Sequence, residues 1–271
     1  MARELNKEQL KYIMKNKPEG MEIEIFIHGA ICFAFSGRCF LSDFMACRSA
    51  NLGDCAQSCR WSYNLYAEEK NNPGELMPIE TSEYGTSIFS SKDLCLIKEI
   101  PEIIEMGVDS LKIEGRLKTE YYLASVIGAY RNAIDDYEKD PEHYDYTKYL
   151  TELEKVKTRG LTTFYFNDRN NKDIQEYGGR QYNEKYEFGG KVVEYDEEKS
   201  VIEIKNKLQV GDKMEILIPY QLKPVEFTID NLWDYDTKEE IEAVSPGVKG
   251  QKVMMKLPIK CEKDWIIRRE K

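Results

Sequence analysis

Six of the seven cysteines fall between positions 32 and 95, inside a stretch that keeps no helical or strand period for long. From Phe33 to about Tyr84 the chain is rich in Cys, Gly, Ser and Asn, and it is too long for an ordinary connection unless something holds it. Cys32, Cys39, Cys55, Cys59 and Cys95 are the natural candidates, because soft thiolates from separate loop and helix positions can converge on iron or zinc. The competing reading is that free cysteines fill space as small apolar groups, and for Cys47 and Cys261 that reading wins. An odd cysteine count in a chain of 271 residues does not suit a secreted disulfide scaffold. With only His28 and His143, and no H-E-x-x-H pair, a zinc-protease centre has no material.

Around this loop the periodicity is α/β. Leu10, Ile13 and Met14 predict a helix over 6–16, which Lys17-Pro-Glu-Gly20 stops. Met21–Ile27 alternates apolar and acidic residues before turning fully apolar, which predicts a strand entering a buried sheet and delivering His28-Gly-Ala-Ile-Cys32 at its end. Leu94, Ile97, Ile100, Ile104 and Met106 predict a helix interrupted by Pro101, followed by a strand over 110–116. A long helix over 119–137 places Tyr122, Val126, Ile127, Tyr130, Ile134 and Tyr137 on one side. The order suggests parallel α/β structure. Between Glu138 and Arg180 the chain turns charged, with Pro141 and Gly178-Gly179, and beyond it segments 190–195, 200–205, 212–218 and 252–257 alternate at period two, the rhythm of a small β-barrel. The expected division is 1–158, a linker over 159–184, and 185–271.

The termini and charge set the compartment. No apolar run approaches the roughly 18–20 residues of a membrane span, and the start Met-Ala-Arg-Glu-Leu has no apolar signal region, so no membrane and a cytoplasmic location are expected. A net charge of −10 argues against generic attraction to nucleic acid but leaves room for a locally basic site. On the 110–116 strand Lys112, Glu114 and Arg116 share one face, where the two cations can clamp an anion and Glu114 can act as general acid or base, or simply satisfy its neighbours. His28, four residues before Cys32, is the candidate activator of a cysteine nucleophile. Arg60, Trp61, Lys92 and Lys118 offer phosphate and base-stacking contacts, against the blander reading of packing.

The run Glu24-Ile-Phe-Ile-His-Gly-Ala-Ile-Cys32-Phe-Ala-Phe-Ser-Gly37-Arg-Cys39-Phe-Leu-Ser42 resembles the signature of peptidase family U32, and the likeness continues through Gly53–Trp61, Ser91–Cys95 and Leu111–Arg116. The resemblance implies the C-terminal part of a TIM-like (β/α) barrel followed by a small β-rich domain. It also implies a four-iron, four-sulfur (4Fe-4S) cluster on Cys32, Cys39, Cys55 and Cys95, with Cys59 as the substitute. The branch with the Cys-x3-Cys pair and Cys-Arg-Trp is similar to tRNA wobble-uridine hydroxylation proteins, which implies tRNA as partner and prephenate as co-substrate. The alternatives are a collagenase-like peptidase, or a non-catalytic fragment or subunit. Only about 20 residues precede the signature strand, where family members carry more than a hundred, so the chain reads as N-terminally truncated. It is expected to need the remaining barrel segment, a partner subunit or a second copy, and to bind RNA weakly without it.

Overall fold

The computed structural model describes residues 1–32, 34–61, 63–68, 70–71, 73–74, 76–79, 91–116, 118–168, 171, 173–174 and 185–271. The Gly178-Gly179 turn lies outside them, as do residues 80–90. Contacts divide the chain into two units, Met1–Glu114 with Thr158–Tyr182, and Gly115–Lys157 with Asn183–Lys271.

In the first unit α1 (Lys7–Asn16) begins with a capping box: Asn6 Oδ1 accepts from the Gln9 N–H at 2.9 Å and the Gln9 side chain accepts from the Asn6 N–H at 3.0 Å. Strand β1 (Glu24–Ala30) follows, its Ile25 and Ile27 buried, and it runs three residues further than the alternation alone indicates, so His28 and Gly29 lie inside it. Helix α2 (Leu41–Ala46) and two single-turn 3-10 helices, Ala50–Leu52 and Ser58–Arg60, break the cysteine-rich stretch into short pieces, and β2 (Leu65–Glu68) pairs antiparallel with β3 (Leu76–Ile79). Strand β4 (Asp93–Cys95) occupies residues where the apolar spacing predicts helix. Leu94–Ile97 is a continuous buried run, which a central strand and a helix share as a signal, and the helix α3 (Ile100–Glu105) starts only where Pro101 fits its first turn. Strand β5 (Ser110–Glu114) stops two residues short of Arg116.

The second unit holds α4 (Glu120–Lys139), capped by Thr119, and α5 (Thr147–Leu153). Tyr122, Val126, Tyr130 and Tyr137 of α4 are buried as the helical spacing requires; Ile127 is 52% exposed, and the small Ala129 and Ala133 are buried on the helix. Within the stretch read as a linker, β6 (Leu161–Thr162) pairs parallel with β4 in the first unit. The first sheet therefore has the order β5-β1-β4-β6, with β1 parallel to β5 but antiparallel to β4. These pairings give a mixed sheet in place of the all-parallel order that the (β/α) barrel expectation requires.

The C-terminal strands are β7 (Tyr186–Glu194), β8 (Ser200–Ile204), β9 (Leu208–Gln209), β10 (Lys213–Leu217), β11 (Val225–Thr228), β12 (Leu232–Asp234), β13 (Glu240–Ile241), β14 (Ala243–Val244), β15 (Lys252–Met255) and β16 (Ile266–Glu270). Eight of them form one antiparallel sheet in the order β11-β10-β16-β7-β8-β15-β12-β13, and β9 pairs with β14. Alternating inward residues such as Val192, Ile202, Ile204, Met214, Ile216 and Val253 build its core. The pairing among the described residues runs from β11 to β13.

Candidate metal centre

Strand β1 carries the chain to Cys32, two residues past its end. Gly37, with φ +72°, turns the backbone so that the Arg38 N–H bonds Phe35 O at 3.0 Å, and Cys39 follows. The Cys39 N–H donates to Asn51 Oδ1 at 3.1 Å, and buried Ser42 accepts the Ala56 N–H on its Oγ at 2.9 Å, so the first cysteine pair and the Cys55–Cys59 segment are stitched together by side chains. Between Cys55 and Cys59, Gln57 adopts the left-handed conformation at φ +54°, an uncommon state for a residue with a Cβ. Its N–H donates to Cys55 Sγ at 3.2 Å.

The thiols of Cys32, Cys39, Cys55 and Cys59 are electrostatic neighbours. Burial pushes Cys32 above its ordinary value; a backbone bond from Ala34 and the charge of Arg3 oppose this, while Cys39 and Cys55 add to it. Burial likewise pushes Cys59 up, opposed by Arg60 and reinforced by Cys32, Cys55 and Cys39. Among the described residues no group of three or more His, Cys, Asp or Glu side chains is arranged to hold a metal ion, so the thiols are neighbours and not a closed cage. Their chemistry still fits an iron–sulfur group: four soft donors, two of them accepting backbone N–H bonds on sulfur.

Cys95 is carried by a strand, β4, and not by the loop that holds the other four. It is buried at 6% exposure in β4, directly across from His28, and β1 must run on through Gly29 and Ala30 before reaching Cys32. His28 is buried between Cys95 on one side and Ile113 on the other. Cys47, in the left-handed conformation after α2, is exposed; Cys261 is buried in the C-terminal core, where burial pushes its thiol up to about 11.

The charged strand face is divided. Lys112 is 48% exposed, pairs with Glu24 of β1 at 3.3 Å and lies over the Phe26 ring. Glu114 lies opposite Gly29, and Arg116 falls past the strand end, in the second unit, so the trio does not share a strand. Lys92 pairs with Asp173, and Lys118 lies over Tyr122. Arg60 turns inward, its side chain only 11% exposed, which removes it as a surface phosphate contact. Burial pulls its guanidinium below the usual range, and so does Arg159, against Asp93, Cys59 and Cys32. Around the cysteines Phe35, Phe40, Phe44, Leu52 and Trp61 are exposed.

The family model described as peptidase family U32 matches residues 1–176, and that of the U32 C-terminal domain matches 184–268. The chain belongs to peptidase family U32. It is 40% identical over 242 residues to tRNA hydroxylation protein P1 of Bacillus subtilis (strain 168), covering 88% of this chain and 56% of that protein. To tRNA hydroxylation protein P of Escherichia coli (strain K12) it is 33% identical over 306 residues, covering 98% and 66%. An uncharacterized protease of Methanocaldococcus jannaschii is 39% identical over 227 residues, covering 80% and 54%. The chain thus spans about half to two thirds of the length of these U32 relatives. Within the U32 signature, cysteine spacing alone points to the thiols; the inward turn of Arg60, the Gln57 bend and the Asn51 and Ser42 ties have no spacing signal and are found only in three dimensions.

Proposed function

We propose that this chain is the cluster-bearing part of an RNA-hydroxylating enzyme, with the wobble uridine of tRNA as its target and Cys32, Cys39, Cys55 and Cys59 as the cluster ligands. The observation that carries this reading is the tying of the cysteine segments to one another, Cys39 N–H to Asn51 Oδ1 at 3.1 Å and Ala56 N–H to Ser42 Oγ at 2.9 Å, with the Gln57 N–H on Cys55 Sγ at 3.2 Å. A bound iron–sulfur cluster supplies one-electron transfer. The chain's own residues set its surroundings: Ala34 and Gln57 donate to sulfur, Asn51 and Ser42 hold the two cysteine segments, and the exposed Phe40, Phe44 and Trp61 offer flat faces on which unpaired bases stack. The names of the Bacillus and Escherichia relatives support RNA over protein as substrate.

Two measurements test the reading. After anaerobic loading the chain should hold iron and sulfide in equal amounts; Cys59→Ser should abolish retention and Cys95→Ser should not, the reverse outcome assigning Cys95 to the ligand set. In cells lacking the modification, mass spectrometry of tRNA nucleosides should show hydroxyuridine restored by the chain joined to the segment of the Bacillus relative that it does not span. Absence of the nucleoside with folded, loaded protein would refute the RNA assignment, and cleavage of unfolded protein by a metal-free preparation would establish the peptidase instead.

A further inference from the structure

Arg60 is the residue after Cys59, and its Nη2 donates to Ile31 O, the residue before Cys32, at 2.5 Å. One planar fork therefore ties the last turn of the Cys55–Cys59 segment to the mouth of β1. The 3-10 turn Ser58–Arg60 holds its backbone, with the Arg60 N–H bonded to Gln57 O at 2.9 Å. Among the described residues the carboxylate that pairs with it is Asp93, buried at the start of β4, at 3.9 Å. A cation kept inside a protein is costly unless negative charge compensates it, and Cys59, the residue before it, and Cys32, the residue after its Ile31 partner, both lie within reach of its field.

We propose that Arg60 is the internal counter-charge and strap of the thiolate group: it holds the Cys59 and Cys32 segments together and sets the reduction potential of the cluster they bind. The inference rests on the iron–sulfur reading above. A fixed positive charge beside the sulfurs favours the form carrying the extra electron, so it raises the potential; the Ile31 bond keeps the two segments from separating, so it slows metal loss.

The test uses the full chain, loaded anaerobically, and reads midpoint potential and the rate of iron loss to a chelator. Failure of the wild type to take up iron and sulfide overturns the cluster reading and this one together, and is seen before any variant is compared. In a loaded protein, Arg60→Met should shift the potential downward and speed iron loss several-fold. Arg60→Lys keeps the charge without the planar fork, so its potential should stay near the wild-type value while iron loss is intermediate. Asp93→Asn, which removes the competing anion without changing shape, should shift the potential upward, and this arm stands even where Arg60→Met fails to fold. Wild-type potentials in both Arg60→Met and Asp93→Asn, or a downward shift in Asp93→Asn, would overturn the assignment while leaving the cluster intact.

Discussion

Gly29 shows how narrowly a single residue is specified beside the centre. It sits in β1 at φ +111°, and a Cβ there would overlap the Glu114 carbonyl and come within 2.9 Å of Glu114 Cβ. Gly29→Ala should therefore cost about 2–4 kcal/mol, from backbone strain plus overlap with the backbone of β5. A denaturant midpoint equal to the wild type would contradict this. Cys261 offers a second test. Its thiol is pushed from an ordinary 9.0 up to about 11 by burial, so the folded state holds that proton more tightly than the unfolded chain does. The associated stability is complete below pH 9 and is lost as the pH rises toward 11. Cys261→Ala should flatten the alkaline limb of the stability profile over that window. At neutral pH, alkylation of the native chain should reach exposed Cys47 well before Cys261.

The elements that were legible in advance are those whose period persists. Helix α1 follows from Leu10, Ile13 and Met14, and the structure adds the Asn6 cap; removing it with Asn6→Ala should cost about 1 kcal/mol, measured by urea unfolding. Strands β7, β8, β10 and β15 follow from alternation over four or more residues. Two-residue strands such as β6, β9, β13 and β14 leave no period to read, and β4 hides in an apolar run that suits helix and strand equally. The site follows the same logic. Spacing marks Cys32, Cys39, Cys55, Cys59 and Cys95 as candidates, but the β1–β4 register that sets Cys95 across from His28 and the Gln57 bend between Cys55 and Cys59 are encoded by no spacing. A left-handed residue with a side chain is a conformational cost at the turn, so Gln57→Gly should leave the fold intact, whereas Gln57→Val should loosen the Cys55–Cys59 segment and lower iron retention.

At the scale of the whole chain, the two compact units do not coincide with the two family regions, because α4 and α5 belong to the unit that contains the C-terminal sheet. Fully buried Arg268 of β16 ties α5 to the sheet: it bonds Glu152 of α5 and, at 2.7 Å, Glu215 of β10, and Lys155 reaches the same two carboxylates at 3.2 and 3.7 Å. Glu152→Ala leaves that guanidinium half-paired in the interior and should cost about 3–5 kcal/mol, read from thermal or denaturant unfolding. In the first unit the antiparallel ladder His28 to Cys95, Gly29 to Leu94 and Ala30 to Asp93 brings together the two ends of an excursion of roughly 60 residues that contains four of the cysteines beyond β1, Cys39 to Cys59, as well as Cys32 at its start. Closing a flexible segment of that length costs about 4 kcal/mol of chain entropy, and the ladder, not the metal, meets that cost. On the proposed cluster reading, an inorganic group would enter a loop whose ends this ladder already fixes.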